Sequence, residues 1–96
     1  RVLHKPQFER MLSKLPRDTL FLVQETRDFF IENPYHPSLR NHPLDPPLEK
    51  YRTISVEGDL RILCRMIDRD TVLFLKIGTH EEIYEEYKII DEKDGA

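Results

Sequence analysis

The amino-acid sequence predicts an α+β domain in which an N-terminal strand and a helical hairpin pack on a small antiparallel sheet, in the order β-α-α-β-β-β. Apolar residues recur at helical spacing in the first third of the chain and alternate with polar residues in three later runs. Between these parts lies a segment with five of the seven prolines. A chain of 96 residues has the length of one domain, and we expect residues 1–96 to form it.

The first predicted elements are a strand over residues 1–5 and two helices. Pro6 suits the first turn of a helix. That helix carries apolar side chains at positions i, i+3, i+4 and i+7, namely Phe8, Met11, Leu12 and Leu15. After a break at Pro16, a second apolar stripe continues to about Asn33. Two adjacent helices with so short a break predict a hairpin.

The second half of the chain predicts three strands after a proline-rich loop. The prolines between Asn33 and Pro47 exclude a helix or a central strand there. Three alternating runs follow, at Tyr51 to Val56, Leu60 to Ile67 and Thr71 to Ile77. Their connectors, "EGD" and "DRD", are short and have turn chemistry, so we expect antiparallel hairpins.

Composition and charge narrow the class of protein. Hydrophobic residues make up 39% and charged residues 34%, as in soluble globular proteins. No apolar run approaches the ~20 residues that cross a bilayer, and no secretory leader pattern opens the chain. We therefore expect a cytoplasmic protein without a membrane partner. The single cysteine, Cys64, is expected to be a buried strand residue. We expect no intrachain disulfide, no zinc site and no other cofactor.

The charge is unevenly distributed along the chain. Seven acidic residues and two lysines give the C-terminal segment 81–96 a charge of −5, and since the whole chain carries −3, residues 1–80 carry +2. A mildly basic body permits nucleic-acid binding without requiring it.

Three short motifs, in this order and spacing, resemble a known family. They lie in "HPSLRNHPL", "YRTISVEGDLRIL" and "VLFLKIGTHEEIY", and consist of His-Pro-Leu, Gly-Asp-x-Arg and Gly-x-His-x-x-x-Tyr. This arrangement resembles the RelE/ParE superfamily of type II toxin-antitoxin toxins, especially its YafQ-like branch, through about Tyr84. The resemblance implies a small endoribonuclease that cleaves mRNA, often on the ribosome. It also implies an antitoxin that holds the enzyme inactive, in a heterotetramer or larger complex.

Metal-independent RNA cleavage requires a base for the 2′-hydroxyl, a cation for the charge on phosphorus and an acid for the leaving 5′ oxygen. His80 follows the last strand, and by the motif it is the general acid or a phosphate ligand; a surface residue at a helix start is the alternative. Gly78 lies two residues before His80 and is expected to allow unusual backbone angles there. Tyr84, four residues later, either stacks on a base or seals a small core.

The base is predicted to be His42 or Asp59. His42 lies in the proline-rich loop, where the family has a catalytic histidine, and only the motif prefers it to His36 in the same loop. Asp59 matches an acidic active-site residue of the YafQ-like branch, although Gly-Asp is also ordinary turn chemistry.

Three arginines are predicted to bind phosphate. Arg61 and Arg65 share one face of the strand from Leu60 to Ile67 with Leu63, on the otherwise open side of the sheet. Guanidinium pairs bidentately with phosphate. Arg52 is also matched by the motif, but its alternation with Ile54 places it on the other face unless a bulge intervenes.

The sequence departs from the YafQ-like pattern at Ser55, where that branch tends to have another histidine. A hydroxyl does not carry protons as imidazole does at neutral pH. This departure and the weak basicity leave open an inactive module that only binds the antitoxin. A ParE-like toxin that inhibits DNA gyrase without cutting RNA is a second alternative, since ParE-type members share the fold and the Gly-Asp-x-Arg-like strand. The pair His42 and His80 favours the nuclease over the gyrase inhibitor.

Overall fold

A computed structural model describes residues 1–84 and gives them an α+β fold with a single five-stranded sheet. The elements in chain order are β1 (Val2–His4), α1 (Pro6–Leu12), α2 (Arg17–Glu32), a 3-10 helix (Pro37–Leu39), β2 (His42–Pro43), β3 (Tyr51–Glu57), β4 (Leu60–Asp68) and β5 (Thr71–Thr79). Residues 80–84 are helical. The predicted fold class and order are confirmed, with β2 as an addition. Most of the predicted acidic segment, residues 85–96, lies outside the described part of the chain.

The sheet has the strand order β1-β5-β4-β3-β2. Strands β3, β4 and β5 are antiparallel neighbours, as predicted, and β2 also pairs antiparallel with β3. However, β1 lies parallel to β5, with Val2 opposite Val72, so the sheet is mixed rather than wholly antiparallel. The helical hairpin connects β1 at one edge to β2 at the other. Strands of three and two residues carry too little alternation for the sequence to show their pairing.

The two helices end where proline and local hydrogen bonds stop them. Helix α1 ends at Leu12, one turn before the predicted Leu15, whose N–H instead closes a tight turn on the Leu12 carbonyl. Helix α2 ends at Glu32 because Pro34 disfavours the helical conformation of the residue before it. Among residues 1–84, no helix has the length and apolar character needed to cross a membrane.

Two apolar clusters lie on opposite faces of the sheet. The first packs the helices on the strands, and its ring contacts place Phe8 and Phe30 at 5.5 and 5.8 Å from Phe74, in edge-to-face geometry. The second cluster consists of Leu44, Leu48, Leu63, Leu75 and Ile83. It covers part of the face that was expected to be open, because the β2–β3 loop and the helical residues 80–84 both fold onto it.

A β-bulge in β5 determines which side chains face the second cluster. Leu63 lies opposite Lys76 and Cys64 opposite Phe74, so Leu75 is an extra residue on β5. This shift turns both Leu75 and Lys76 towards the face of Leu63, away from the helices. The face of the sheet that carries Leu63, Leu75 and Lys76 is the open face.

Candidate active site

One end of the sheet brings three of the predicted site residues together. Leu60 at the start of β4 lies opposite Thr79 at the end of β5. The residue before Leu60 is Asp59 and the residue after Thr79 is His80, so these two leave the sheet next to each other. Arg61 is one position further along β4. Two nearby elements, the β3–β4 turn and the end of β5, therefore carry an acid, a cation and an imidazole.

His80 is the first helical residue after β5, and a capping box fixes this helix start. The backbone N–H of Glu82 donates to the hydroxyl of Thr79 at 3.2 Å, and the N–H of Thr79 donates to a Glu82 carboxylate oxygen at 2.9 Å. The bond from the Thr79 N–H to the carboxylate, and then the Thr79 side chain, lower the pKa of Glu82. The signal was present in the sequence as Thr-x-x-Glu. The expectation for Gly78 was wrong, because it lies inside β5 without a left-handed φ.

The imidazole of His80 packs against the ring of Tyr84, one helical turn later. The ring centroids are 4.3 Å apart with an interplanar angle of 38°. His80 is exposed, whereas Tyr84 is partly covered by the second cluster. Burial, and then the nearby Asp45 carboxylate, raise the pKa of Tyr84. Tyr84 therefore supports the imidazole and contributes to the small core, which was the structural alternative considered for it.

Arg61 folds back over the turn that carries Asp59. One of its terminal nitrogens donates to the carbonyl oxygens of Gly58 at 2.7 Å and of Leu60 at 3.1 Å. Gly58 has a φ of 54°, the left-handed region that this tight turn requires. Asp59 is exposed at the same turn. Within residues 1–84 Arg61 forms no ion pair, so its other nitrogens remain available to an anion.

His42 lies on the open face at the neighbouring edge of the sheet. It pairs with Thr53, and its Nε2 is 3.4 Å from the Thr53 hydroxyl. Its Nδ1 is 3.0 Å from the Pro43 carbonyl oxygen. Because a carbonyl only accepts, Nδ1 carries the hydrogen of the neutral ring. Nε2, beside the Thr53 hydroxyl, is then the unprotonated nitrogen. A general base needs that arrangement.

His36, the competing histidine of the loop, has a structural role. Its Nδ1 accepts a hydrogen bond from the backbone N–H of Ser38 at 3.1 Å, which caps the 3-10 helix. Its ring also packs edge-on against Phe29 at 4.9 Å. These contacts hold His36 against α2, away from β4 and β5.

The structure separates the three predicted arginines. Arg65 is exposed on the same face as Arg61, four residues or about 13 Å further along β4. Arg52 points to the helical face, where its Nε donates to the Asn41 side-chain oxygen at 2.6 Å. The register shift of β3 lies between Ser55 and Glu57, beyond Arg52, so no bulge turns Arg52 round. It does not join the other site residues.

Sequence reasoning missed Lys76. It is only 8% exposed, and burial lowers its pKa, an effect that the Glu82 carboxylate partly opposes. Across the sheet, Lys76 lies opposite Leu63, Leu63 opposite Thr53, and Thr53 opposite His42. The only signal in the sequence was a lysine inside the apolar run "VLFLKIG".

Among residues 1–84, no hydrogen bond or ring contact joins His42, Arg61 and His80 to one another. From the strand pairing, His42 and Arg61 have Cα atoms about 12 Å apart, two strands across and two residues along. Ser55 lies opposite Arg61, and its buried hydroxyl has no partner among residues 1–84. In the same range, no three His, Cys, Asp or Glu side chains come together as metal ligands. The arrangement offers proton carriers and cations around a strip that one RNA segment can span.

Comparison with known proteins identifies the class of fold. Neither the family models nor the curated proteins match the sequence, but solved structures do. YafQ from E. coli superposes with a TM-score of 0.69 at 20% identity, over 88% of this chain and 97% of that one. The RelBE2 toxin-antitoxin complex from Mycobacterium tuberculosis matches with a TM-score of 0.62 at 27% identity, over 82% and 88%. A YoeB/ParE toxin from Agrobacterium tumefaciens gives 0.69 at 8% identity, over 83% and 98%.

The chain has the fold of the RelE/ParE-superfamily toxins. Within that class it is similar to YafQ over nearly the full length of both chains. The resemblance predicted from the three motifs is thereby confirmed at the level of the fold. The individual site residues are not tested by this similarity and stay predictions.

Proposed function

We propose that this protein is the toxin of a type II toxin-antitoxin system and that it is an endoribonuclease that cleaves mRNA. The observation that carries the proposal is the meeting of Asp59, Arg61 and His80 at one end of the sheet, with His42 on the same face. The fold shared with YafQ and with the toxin of the RelBE2 complex supports the toxin role.

The cleavage is an acid-base reaction that needs no metal ion. His42, through its unprotonated Nε2, or Asp59, which leaves the sheet next to His80, removes the proton of the ribose 2′-hydroxyl. The 2′ oxygen attacks the phosphorus, and Arg61 stabilises the charge that develops on the phosphoryl oxygens. His80 donates a proton to the leaving 5′ oxygen. The products are a 2′,3′-cyclic phosphate and a free 5′-hydroxyl.

Replacing His80 by alanine tests the proposal. Because a general acid contributes about 10²- to 10⁴-fold, single-turnover cleavage by His80→Ala should fall by that range while the protein stays folded. His36→Ala is the matched control, since His36 only caps the 3-10 helix. Unchanged cleavage by a folded His80→Ala protein would remove His80 from the mechanism.

Primer extension on translating ribosomes distinguishes this proposal from its alternatives. Cuts positioned by codon support a nuclease that works on the ribosome. The inactive module is an alternative because Ser55 replaces an imidazole of the YafQ-like pattern opposite Arg61. Inhibition of DNA supercoiling by gyrase without RNA cleavage would indicate the ParE-like toxin. The absence of an effect in both assays would indicate the inactive antitoxin-binding module.

The partners of the proposed toxin follow from its role. They are a cognate antitoxin, mRNA and the ribosome, in the cytoplasm. Solved complexes such as RelBE2 pair a toxin of this fold with an antitoxin, which supports the first of these partners.

A further inference from the structure

A cavity of about 300 Å³ opens on the helical face of the sheet, on the side away from the candidate active site. Its walls come from the end of α2, the loop that follows it and strands β3, β4 and β5. None of Asp59, Arg61, His42 or His80 lines it. The proposed cleavage reaction therefore does not account for this cavity.

Large apolar side chains are exposed at the cavity. Tyr35 is 67% exposed, Ile31 49% and Met66 41%, and all three line the same opening. Beneath them, Phe30 and Cys64 belong to the buried core. Exposed apolar side chains gathered round one concave site are typical of a surface that another molecule covers.

The same cavity is lined by three arginines, Arg1, Arg52 and Arg69, and by one acidic residue, Asp70. The Nε of Arg52 is bonded to the Asn41 side chain at 2.6 Å, and one terminal nitrogen to the Asn41 carbonyl at 3.2 Å. The guanidinium also lies 5.8 Å from the centre of the Tyr35 ring. These contacts fix Arg52 and leave other N–H groups unbonded. Neither Arg52 nor Arg69, which also lines the cavity, forms an ion pair within residues 1–84.

We propose that this cavity is a docking site for an acidic segment of a partner protein. An aliphatic or aromatic side chain of the segment packs between Ile31, Tyr35 and Met66. A neighbouring carboxylate pairs with Arg52 and Arg69, because guanidinium binds carboxylate bidentately. Fixing Arg52 in advance lowers the entropy lost on binding.

The chemistry of the walls favours a polypeptide over a nucleic acid. Single-stranded nucleic acid binds on successive aromatic side chains beside a positive groove. Among residues 1–84, Tyr35 is the only aromatic residue exposed at the cavity, and its apolar neighbours are aliphatic or a thioether. The proposal does not depend on RNA cleavage, because docking uses the opposite face of the sheet.

A displayed library of random peptides, selected on the full-length protein, tests the proposal. The expected outcome is a consensus with aspartate or glutamate next to a leucine, isoleucine or aromatic residue. A dye-labelled consensus peptide is then titrated against variants by fluorescence polarisation. Arg69→Glu and Tyr35→Ser should each weaken binding about tenfold or more, as expected for loss of a charge-assisted contact or an apolar anchor.

Arg65→Glu is the matched control, because it makes the same charge change in β4, four residues before Arg69 and on the opposite face of the sheet from the cavity. It should leave the affinity within about twofold. Several results would overturn the proposal: recovery of no peptide or of peptides without acidic residues, equal binding by Arg69→Glu, or equal weakening by Arg65→Glu. A labelled RNA oligonucleotide whose affinity depends on both Arg69 and Tyr35 would instead make the cavity an RNA site.

Discussion

At the scale of single residues, Lys76 has the most unusual environment on the open face. This lysine is nearly buried in β5, and burial lowers the pKa of its ammonium group. The sequence did not predict this, because simple alternation along β5 takes no account of the extra residue at Leu75. By contrast, alternation alone was sufficient to indicate that Arg52 faces away from Arg61.

Lys76→Met should leave the protein at least as stable as the wild type near neutral pH, because methionine fills a similar volume without a charge to desolvate. The unfolded chain holds the lysine proton more tightly than the native one, so wild-type stability should rise as the pH approaches the usual lysine pKa of 10.5. Any advantage of Lys76→Met should therefore shrink as the pH rises.

Urea unfolding at several values between about pH 7 and pH 10 measures this difference. Lys14→Met, at an exposed position after α1, is the control and should show no such trend. A Lys76→Met protein whose stability keeps a constant offset from the wild type at every pH would contradict the assignment.

At the scale of elements, the helix start after β5 determines where His80 lies. The sequence predicted the end of that strand to within two residues, and a helix start at His80 was one of the two interpretations given for that residue. The Thr-x-x-Glu pattern of residues 79–82 also indicates a helix that begins at this point. The two-residue β2 was beyond sequence reasoning, since a strand that contains Pro43 and pairs at only two positions leaves no periodic signal.

Thr79→Ala should destabilise the protein by about 1 kcal/mol, because an N-cap hydroxyl is lost. It should also slow RNA cleavage, since the imidazole of His80 loses its fixed position. Thr79→Ser keeps the hydroxyl and should retain most of both properties. Urea unfolding and single-turnover cleavage provide the two measurements, and equal behaviour of the alanine and serine variants would exclude a capping role.

The two glycines near the site should respond differently to alanine. Gly58 has a left-handed φ of 54°, so Gly58→Ala should cost about 1–2 kcal/mol of stability. Gly78 has no such angle, and an added Cβ there would meet Glu82 atoms no closer than 3.5 Å, an ordinary contact. Gly78→Ala should therefore cost less. Thermal or urea unfolding of the two variants side by side decides whether the turn or the strand needs its glycine.

At the scale of the whole molecule, the helices cover one face of the sheet and the second cluster covers part of the open face. Periodicity predicted the helical cover, because α2 repeats its apolar stripe over Val23, Thr26 and Phe30. It did not predict the second cluster, since Leu44, Leu48 and Ile83 lie in a loop and a short helical segment without a periodic pattern. Contacts between residues far apart in sequence created this cluster.

Cys64 reports on the integrity of the whole core. It is 2% exposed, and burial raises its pKa to about 12, so the native thiol is protonated and inaccessible. Labelling by Ellman's reagent should follow global unfolding and accelerate with urea. Gly58→Ala should speed labelling by about tenfold for each 1.4 kcal/mol of lost stability. A labelling rate that is insensitive to both changes would indicate that the core opens locally.

The pairing of β1 with β5 has a consequence for the synthesis of this protein. Val2 finds its partner Val72 only after the intervening residues 3–71 have been made, and the imidazole of His80 follows later still. A nascent chain leaving the ribosomal exit tunnel cannot close its sheet before that moment. If the protein attacks mRNA, the ribosome that translates it is protected until β5 and His80 have left the tunnel, because the chain has no assembled site before then.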